Sequence, residues 1–161
     1  MRRAVGSALF LVVAPGTIVV LIPLRLTHWH AHHIWLPLRV LGGVLIGAGA
    51  AVVVRAFARF VVEGRGTPVP VAPPSRLVVT GEYRYVRNPM YFAQLTVILG
   101  QALLLGRPIL VAYAAAIWLI FATFVFAYEQ PALRARFGEQ YEAYCRAVPP
   151  WLPRLRPWRG G

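Results

Sequence analysis

Residues 90–128 read MYFAQLTVILGQALLLGRPILVAYAAAIWLIFATFVFAY and contain a single charged side chain, Arg107. Gly106 and Arg107 divide this run into two apolar stretches, residues 90–105 and 108–128. A helix needs roughly 20 apolar residues to cross the hydrocarbon core of a bilayer, and both stretches approach that length. The two-residue break therefore predicts a tight hairpin of two membrane helices.

Two further charge-free stretches lie earlier in the chain, at residues 4–24 and 40–54. The second is extended by residues 36–39 and 55–62, whose arginines can reach the headgroups along their aliphatic stems. The first follows a charged start but is too long for a signal-peptide core, and it lacks a small-residue cleavage site at its end. We therefore predict an all-α integral membrane protein with four transmembrane helices.

Proline and glycine predict irregular features in the first two helices. Pro15 with Gly16 should kink the first helix, which a membrane helix tolerates when its neighbours satisfy the freed carbonyl. Gly43 and Gly47 form a small-xxx-small pair of the kind that lets membrane helices approach closely. Glycine is also common in membrane helices without such a role, so both interpretations of this pair stay open.

The composition of the 161-residue chain agrees with a membrane protein, because 58% of its residues are hydrophobic and only 14% are charged. Its mean hydropathy is +0.60, whereas soluble domains carry about 25% charged residues. Too few residues lie outside the apolar stretches to build a separate soluble core. We therefore predict one domain, residues 1–161, with its active site at the membrane. The single cysteine, Cys145, excludes an internal disulfide and any site that needs several cysteines.

Arginine placement predicts the orientation of the helices. The chain has 17 basic residues, all arginine, against five glutamates, which gives a net charge of +12. With both termini cytoplasmic, all arginines except Arg25, Arg39 and Arg107 lie on the cytoplasmic side, as the positive-inside rule requires. Because the arginines lie between apolar runs, their expected partner is anionic lipid headgroups and not nucleic acid. The 63–89 loop and the C-terminal tail then share one side and can meet.

The segment 81–91, GEYRYVRNPMY, combines aromatic, cationic and amide side chains directly before the third membrane helix. Pro89 suits a first helical turn, which places Asn88 as the N-cap. The preceding loop, residues 63–81, is rich in glycine and proline and is too irregular for a helix or a central strand. A loop of this length is usually functional or disordered, and the apolar residues 77–79 favour a functional loop, with a polyproline ligand as the alternative. For the segment itself, the alternative is an interfacial role in which tyrosines and arginines merely anchor the protein to headgroups.

Glu129 closes the fourth apolar stretch and places a carboxylate at the membrane boundary of a protein with few acids. An ionisable group at such a boundary is a functional hypothesis by default. The structural alternative is an ion pair with an arginine from residues 76–87. Beyond Glu129, one apolar face of an interfacial helix is predicted by the spacing of Leu133, Phe137, Tyr141 and Tyr144.

The first outward loop holds four histidines, His28, His30, His32 and His33. Histidine is a good ligand for transition metals. No carboxylate or cysteine accompanies these side chains, and Trp29 and Trp35 mark the loop as interfacial. We therefore expect no functional metal site in this loop.

Two motifs resemble the isoprenylcysteine carboxyl methyltransferase family of integral membrane methyltransferases, which is related to the phospholipid methyltransferases. The first is Gly81-x-Tyr83-Arg-Tyr-Val-Arg87-Asn-Pro-Met-Tyr91. The second is Glu129-x-x-x-Leu133-x-x-x-Phe137-Gly138-x-x-Tyr141-x-x-Tyr144. The preceding Gly64-Arg-Gly-Thr-Pro68 and Pro74-Ser-Arg-Leu-Val78 resemble a bacterial branch of the family, so the resemblance covers residues 63–153 and implies a location in the bacterial inner membrane. The arginine distribution places both termini and the active site on the cytoplasmic side.

The resemblance also implies S-adenosylmethionine as cofactor and a lipophilic or lipid acceptor that carries a carboxylate or an amine. The residues that would contact the cofactor are Ser75, Arg76, Leu77, Val78, Tyr83, Asn88, Pro89, Met90, Tyr91 and Glu129. Their chemistry agrees, because a ligand with a carboxylate, an ammonium and a sulfonium needs polar donors, a carboxylate and aromatic faces. No metal is required for methyl transfer, and the sequence offers no clear catalytic base.

The sequence departs from the family at three positions. Asn88 stands where the family commonly has histidine, and Gln130 stands where it has a second acid. An amide can still donate a hydrogen bond, but it cannot titrate as an imidazole does. Val125 occupies the position of an arginine that eukaryotic relatives carry on the substrate side.

Two other functions are compatible with the same architecture. A membrane reductase would need cations for the 2'-phosphate of NADPH and would gain nothing from Glu129. A non-catalytic scaffold that binds anionic lipids through its arginines would need neither Glu129 nor Asn88.

Overall fold

The computed structural model describes residues 13–64 and 76–159, and within these ranges all long elements are helices. We number them α1 (Val13–Thr27), α2 (Leu36–Gly64), α3 (Pro89–Leu105), α4 (Ile109–Phe124) and α5 (Gln130–Ala147). A short 3-10 turn, Gly81–Arg84, precedes α3, and two π-helical turns, Thr17–Leu21 and Val125–Glu129, interrupt α1 and join α4 to α5.

Two of the described helices are long and apolar enough to cross a membrane. They are Leu36–Arg59 in α2 and the continuous helix Ile109–Ala147, which contains α4 and α5. α1 and α3 are shorter apolar helices. Large apolar side chains on these helices, such as Val44 and Leu119, are well exposed, as expected for surfaces that face lipid. The predicted all-α membrane architecture is therefore confirmed in its coarse form.

Helices α2 and α3 pack closely because three glycines lie where they cross. A Cβ atom on Gly42 would lie 2.6 Å from the carbonyl oxygen of Gly100, and one on Gly49 would lie 2.8 Å from a methyl group of Val97. Gly43 and Gly47 have open space at their Cβ positions. Of the two interpretations of that pair, the structure supports the one without a packing role, since both residues are exposed on another face of α2.

The α3–α4 hairpin is confirmed. Gly106 ends α3 with a φ of +64°, a left-handed conformation that glycine adopts without strain. The following residue, Arg107, donates from Nε to the carbonyl oxygen of His30 at 2.9 Å. The same end of the bundle is closed by a backbone hydrogen bond of 2.9 Å from the His32 N–H to the Leu105 oxygen.

The kink predicted at Pro15 and Gly16 stays a prediction, because the turn that Pro15 would disturb reaches back to residue 11, outside the described residues. Gly16 itself has ordinary helical dihedral angles. In the described part of α1 the irregular turn is Thr17–Leu21, after which the Ile22 N–H bonds to the Thr17 oxygen and not to the Ile18 oxygen. Pro23 has no N–H, so the Val19 oxygen also lacks its helical donor. Side chains of other helices replace both donors: Tyr113 Oη donates to the Ile18 oxygen at 2.9 Å and Gln101 Nε2 to the Val19 oxygen at 2.7 Å.

The interfacial helix predicted beyond Pro131 is a direct continuation of α4. The second π turn absorbs the proline, since the Gln130 N–H bonds to the Val125 oxygen. α5 then bends at Gly138, which has a φ of 48° and a ψ of −125°. Its predicted apolar face is confirmed: Tyr141, Tyr144 and Val148 form a buried cluster against which Leu77, Val79, Leu133, Phe137 and Trp158 pack.

Candidate functional site

Glu129 is the last residue of the second π turn and is half-buried. Its Oε2 accepts a hydrogen bond of 3.2 Å from the Tyr91 hydroxyl. The Tyr91 ring stacks on Phe121, with 4.5 Å between the ring centroids. Since Tyr91 lies in the first turn of α3, this contact joins the N-terminal end of α3 to the turn that follows the C-terminal end of α4. The two motifs that the sequence singled out therefore meet.

The structural alternative for Glu129 is an ion pair with an arginine from residues 76–87. In the structure its side-chain hydrogen bond is instead with the phenol of Tyr91. The described ion pairs involve other acids. Glu82 is 2.8 Å from Arg55 Nε and 3.1 Å from Arg59 Nε, and Glu142 is 2.6 Å from Arg134 Nε.

Tyr83 is buried and lies near both Glu129 and Tyr91. Its hydroxyl has no hydrogen-bond partner among the described residues. Burial raises the pKa of the Tyr83 phenol well above its usual range, and the nearby Glu129 carboxylate raises it further. The phenol therefore stays neutral and keeps a proton to donate. Val78 and Met90 pack around Tyr83, together with Ala56 of α2.

The turn that carries Tyr83 is held to α2 by its neighbours Gly81 and Glu82. Glu82 forms the ion pairs with Arg55 and Arg59, and its side chain is largely shielded. Gly81 has a φ of +53°, and a Cβ atom there would collide with the Arg59 guanidinium group. Sequence reasoning missed this clamp. A local signal exists, since Glu82 is one of only five acids in the chain and follows a glycine directly.

Asn88 occupies the predicted N-cap position of α3, but its side chain makes no capping bond. Its Nδ2 donates instead to the Pro150 oxygen at 3.0 Å. The amide therefore binds the C-terminal tail, residues 148–158. This bond uses one of the two amide protons of Asn88. A cofactor contact by Asn88 stays a prediction.

The tail runs along residues 84–88 as a strap. Backbone hydrogen bonds join Arg87 N–H to the Pro149 oxygen at 2.9 Å and Arg154 N–H to the Tyr85 oxygen at 3.0 Å. A third joins Trp158 N–H to the Arg84 oxygen at 3.0 Å. Arg87 also donates from Nη1 to the sulfur of Cys145 on α5. The sequence predicts that the 63–89 loop and the tail can meet, and these hydrogen bonds show that residues 84–88 of that loop do contact the tail.

The predicted cofactor residues thus fall into separate groups. Val78, Tyr83 and Met90 cluster together, and Tyr91 is bonded to Glu129. Pro89 is buried at the start of α3, whereas Leu77 packs against the α5 cluster and Arg76 is exposed. Ser75 lies outside the described residues.

The four histidines of the loop between α1 and α2 are exposed, and the ring centroids of His28 and His30 are 6.4 Å apart. Across the described ranges, 13–64 and 76–159, no group of three or more histidine, cysteine or acidic side chains is arranged to hold a metal ion.

Comparisons with known proteins place the chain among membrane methyltransferases. The family model described as "Phospholipid methyltransferase" matches residues 38–140. Two similar relatives, from Oryza sativa subsp. indica and subsp. japonica, are each named "Probable protein-S-isoprenylcysteine O-methyltransferase". Each is 26% identical over 138 residues, which is 85% of this chain and 69% of the relative. No solved structure matches the chain significantly.

Proposed function

Because the chain belongs to the phospholipid methyltransferase family, it is a membrane methyltransferase, and we propose that it transfers a methyl group from S-adenosylmethionine to a lipophilic acceptor. The family match gives no support to a reductase or a scaffold. The observation that carries the proposal is the hydrogen bond between Tyr91 and Glu129 beside the unpartnered hydroxyl of Tyr83.

These residues fit the polar groups of the proposed cofactor. One oxygen of Glu129 accepts from Tyr91, so the other is suited to accept from the ammonium group or a ribose hydroxyl. The Tyr83 hydroxyl is a neutral donor. Arg87 Nε is buried without a hydrogen-bond partner among the described residues, and a guanidinium N–H suits the cofactor's carboxylate.

When bound, S-adenosylmethionine supplies an electrophilic methyl group, which an acceptor lone pair attacks while the carbon–sulfur bond breaks. The chain's own residues align the reactants and keep water away. Val78, Met90 and Phe121 supply apolar walls near the polar groups. An acceptor carboxylate enters this reaction without a base, whereas an amine must first lose a proton.

The proposal includes a topology. Four helices would cross the bacterial inner membrane, with both termini and the active site cytoplasmic and the whole of residues 1–161 forming one domain. The arginine distribution supports this orientation. So does the site's position at the N-terminal end of α3 and beyond the C-terminal end of α4, the two ends at which arginines are abundant.

Calorimetry of purified protein in detergent tests the cofactor. We expect saturable one-site binding of S-adenosylhomocysteine, the demethylated product, and a rise in melting temperature that grows with its concentration. NADPH should produce neither effect. Absence of saturable S-adenosylhomocysteine binding by folded protein would overturn the proposal, and stabilisation by NADPH alone would favour the reductase.

A further inference from the structure

The C-terminal tail brings Trp151 against the membrane-facing part of the molecule. Trp151 packs against the apolar cluster of α3 and α4 that includes Ile98 and Phe121. Its ring is 6.1 Å from that of Trp118 on α4, in an edge-on arrangement with an interplanar angle of 69°. Trp118 is 42% exposed, so the pair has one member that faces the bilayer and one that faces the protein.

The indole nitrogen of Trp151 is buried and has no hydrogen-bond partner within the described ranges. An indole N–H can only donate, and a buried tryptophan normally finds an acceptor for it. Each unsatisfied group of this kind calls for an explanation. A ligand that brings its own acceptor oxygen would provide one.

The tryptophan pair is connected to the candidate site. Trp151 follows Pro150, whose oxygen accepts from Asn88. Trp118 is three residues from Phe121, so the two side chains share one face of α4. Phe121 stacks on Tyr91, and Tyr91 bonds to Glu129. A row of aromatic side chains thus leads from the lipid-exposed surface to the carboxylate.

We propose that Trp118 and Trp151 form the binding subsite for the methyl acceptor, and that the Trp151 N–H donates to an anionic oxygen of that acceptor. This inference rests on the proposed function and narrows its acceptor to an amphiphile that carries a carboxylate beside its apolar chain. The chain reaches the subsite from the bilayer past Trp118. Exposed Leu152 extends the apolar surface of the strap.

Charge supports an anionic acceptor over an amine. The tail carries Arg154, Arg156 and Arg159, of which Arg156 and Arg159 are exposed. These cations and a donor-only indole both favour an anion. A carboxylate acceptor also agrees with a site that offers no histidine, since such an acceptor reacts without a base.

Nuclear magnetic resonance of the full chain in phosphatidylcholine nanodiscs, with ¹⁵N-labelled tryptophan indoles, tests the subsite. The probes are myristate and myristyltrimethylammonium, which share a chain and differ in the head. We expect myristate to shift the Trp151 indole proton resonance downfield in a saturable manner. The cationic probe should leave that resonance unshifted, because it offers no acceptor oxygen. The internal control is the indole of Trp158, which lies in the same tail and packs on Tyr144 of α5.

Trp151→Phe should weaken myristate binding about tenfold, as expected for loss of a hydrogen bond to a charged group, while Trp158→Phe should not. If Trp151→Phe does not fold, the wild-type resonance still decides, assigned from the Phe variants of the other four tryptophans. Three results would refute the subsite. They are a Trp151 indole proton that shows no shift with myristate, one that shifts equally with both probes, and one that already resonates downfield in phosphatidylcholine nanodiscs without a probe. S-adenosylhomocysteine calorimetry on the same nanodiscs separates the two proposals, because cofactor binding with a silent Trp151 refutes only the acceptor subsite.

Discussion

The two π-helical turns of this protein arise from the same local feature and serve different ends. Thr17–Leu21 is followed by Pro23, and Val125–Glu129 is followed by Pro131, at the same spacing. In each case the proline lacks the N–H that would continue the regular ladder. The helix responds with one wider turn and continues.

What each turn holds differs. The first contains only Thr and apolar residues, and the carbonyls freed around it are tied to α3 and α4 by Gln101 and Tyr113. The second ends in Glu129, which faces Tyr91 across the candidate site. π turns occur often at functional sites, but here the first turn serves packing, and only the second carries a residue that we propose binds a ligand. The side chain that the turn carries, and not the turn itself, indicates function.

Removing one residue from each turn should separate the two roles most strongly. A π turn contains one residue more than a regular helix would, so deleting exposed Ala127 should restore α geometry and rotate Glu129 by roughly 100° relative to α4. We expect S-adenosylhomocysteine binding to become undetectable by calorimetry. Deleting exposed Val20 in α1 should lower stability but leave the affinity of the folded protein within about threefold. Retained binding after deletion of Ala127 would show that the second turn does not position a ligand group.

Gln101→Leu tests the packing role of the first turn. The substitution leaves the Val19 oxygen without its donor in an apolar environment, which should cost roughly 1–2 kcal/mol of stability. Chemical unfolding in detergent measures this loss, and calorimetry on the same preparation should give an unchanged affinity for S-adenosylhomocysteine. A drop in affinity without a drop in stability would mean that the first turn also serves the site.

Tyr91→Phe probes the second turn more gently, because it removes the hydroxyl that bonds Glu129 and keeps the ring that stacks on Phe121. A single hydrogen bond of this kind contributes about 0.5–1.5 kcal/mol. We expect S-adenosylhomocysteine affinity to fall by roughly twofold to tenfold. Tyr113→Phe, which removes the equivalent hydroxyl at the first turn, is the matched control and should affect only stability.

Much of this organisation could be predicted from the sequence, and the remainder depends on three-dimensional contacts. The apolar runs predict the helices, and Gly106 with Arg107 predicts the hairpin. Glu129 could be singled out because a lone acid at the end of an apolar stretch is conspicuous. Its hydrogen bond with Tyr91 comes only from the structure, since the sequence predicts no more than that both helix ends lie on one side of the membrane.

The choice among glycines could not be predicted, because the face of α2 that meets α3 is decided by packing. Gly42 and Gly49 lie at the crossing, whereas the pair with the recognised spacing, Gly43 and Gly47, does not. The hydrogen-bond partner of the Asn88 amide could not be predicted either. Its position before Pro89 indicates an N-cap, but the nearby Pro150 oxygen receives its proton. The proline spacing that marks both π turns, by contrast, is legible in the sequence.

The most direct test of the account is the S-adenosylhomocysteine affinity of Glu129→Gln, measured beside its melting temperature and beside Glu139→Gln, an exposed acid on α5. The amide keeps the shape of the carboxylate and removes its charge. A hydrogen bond to a charged group is worth roughly 1.5–3 kcal/mol, so we predict a loss of affinity of about tenfold to hundredfold for Glu129→Gln and none for Glu139→Gln. An affinity unchanged within about twofold, with only the melting temperature lowered, would identify Glu129 as a structural residue and contradict the account.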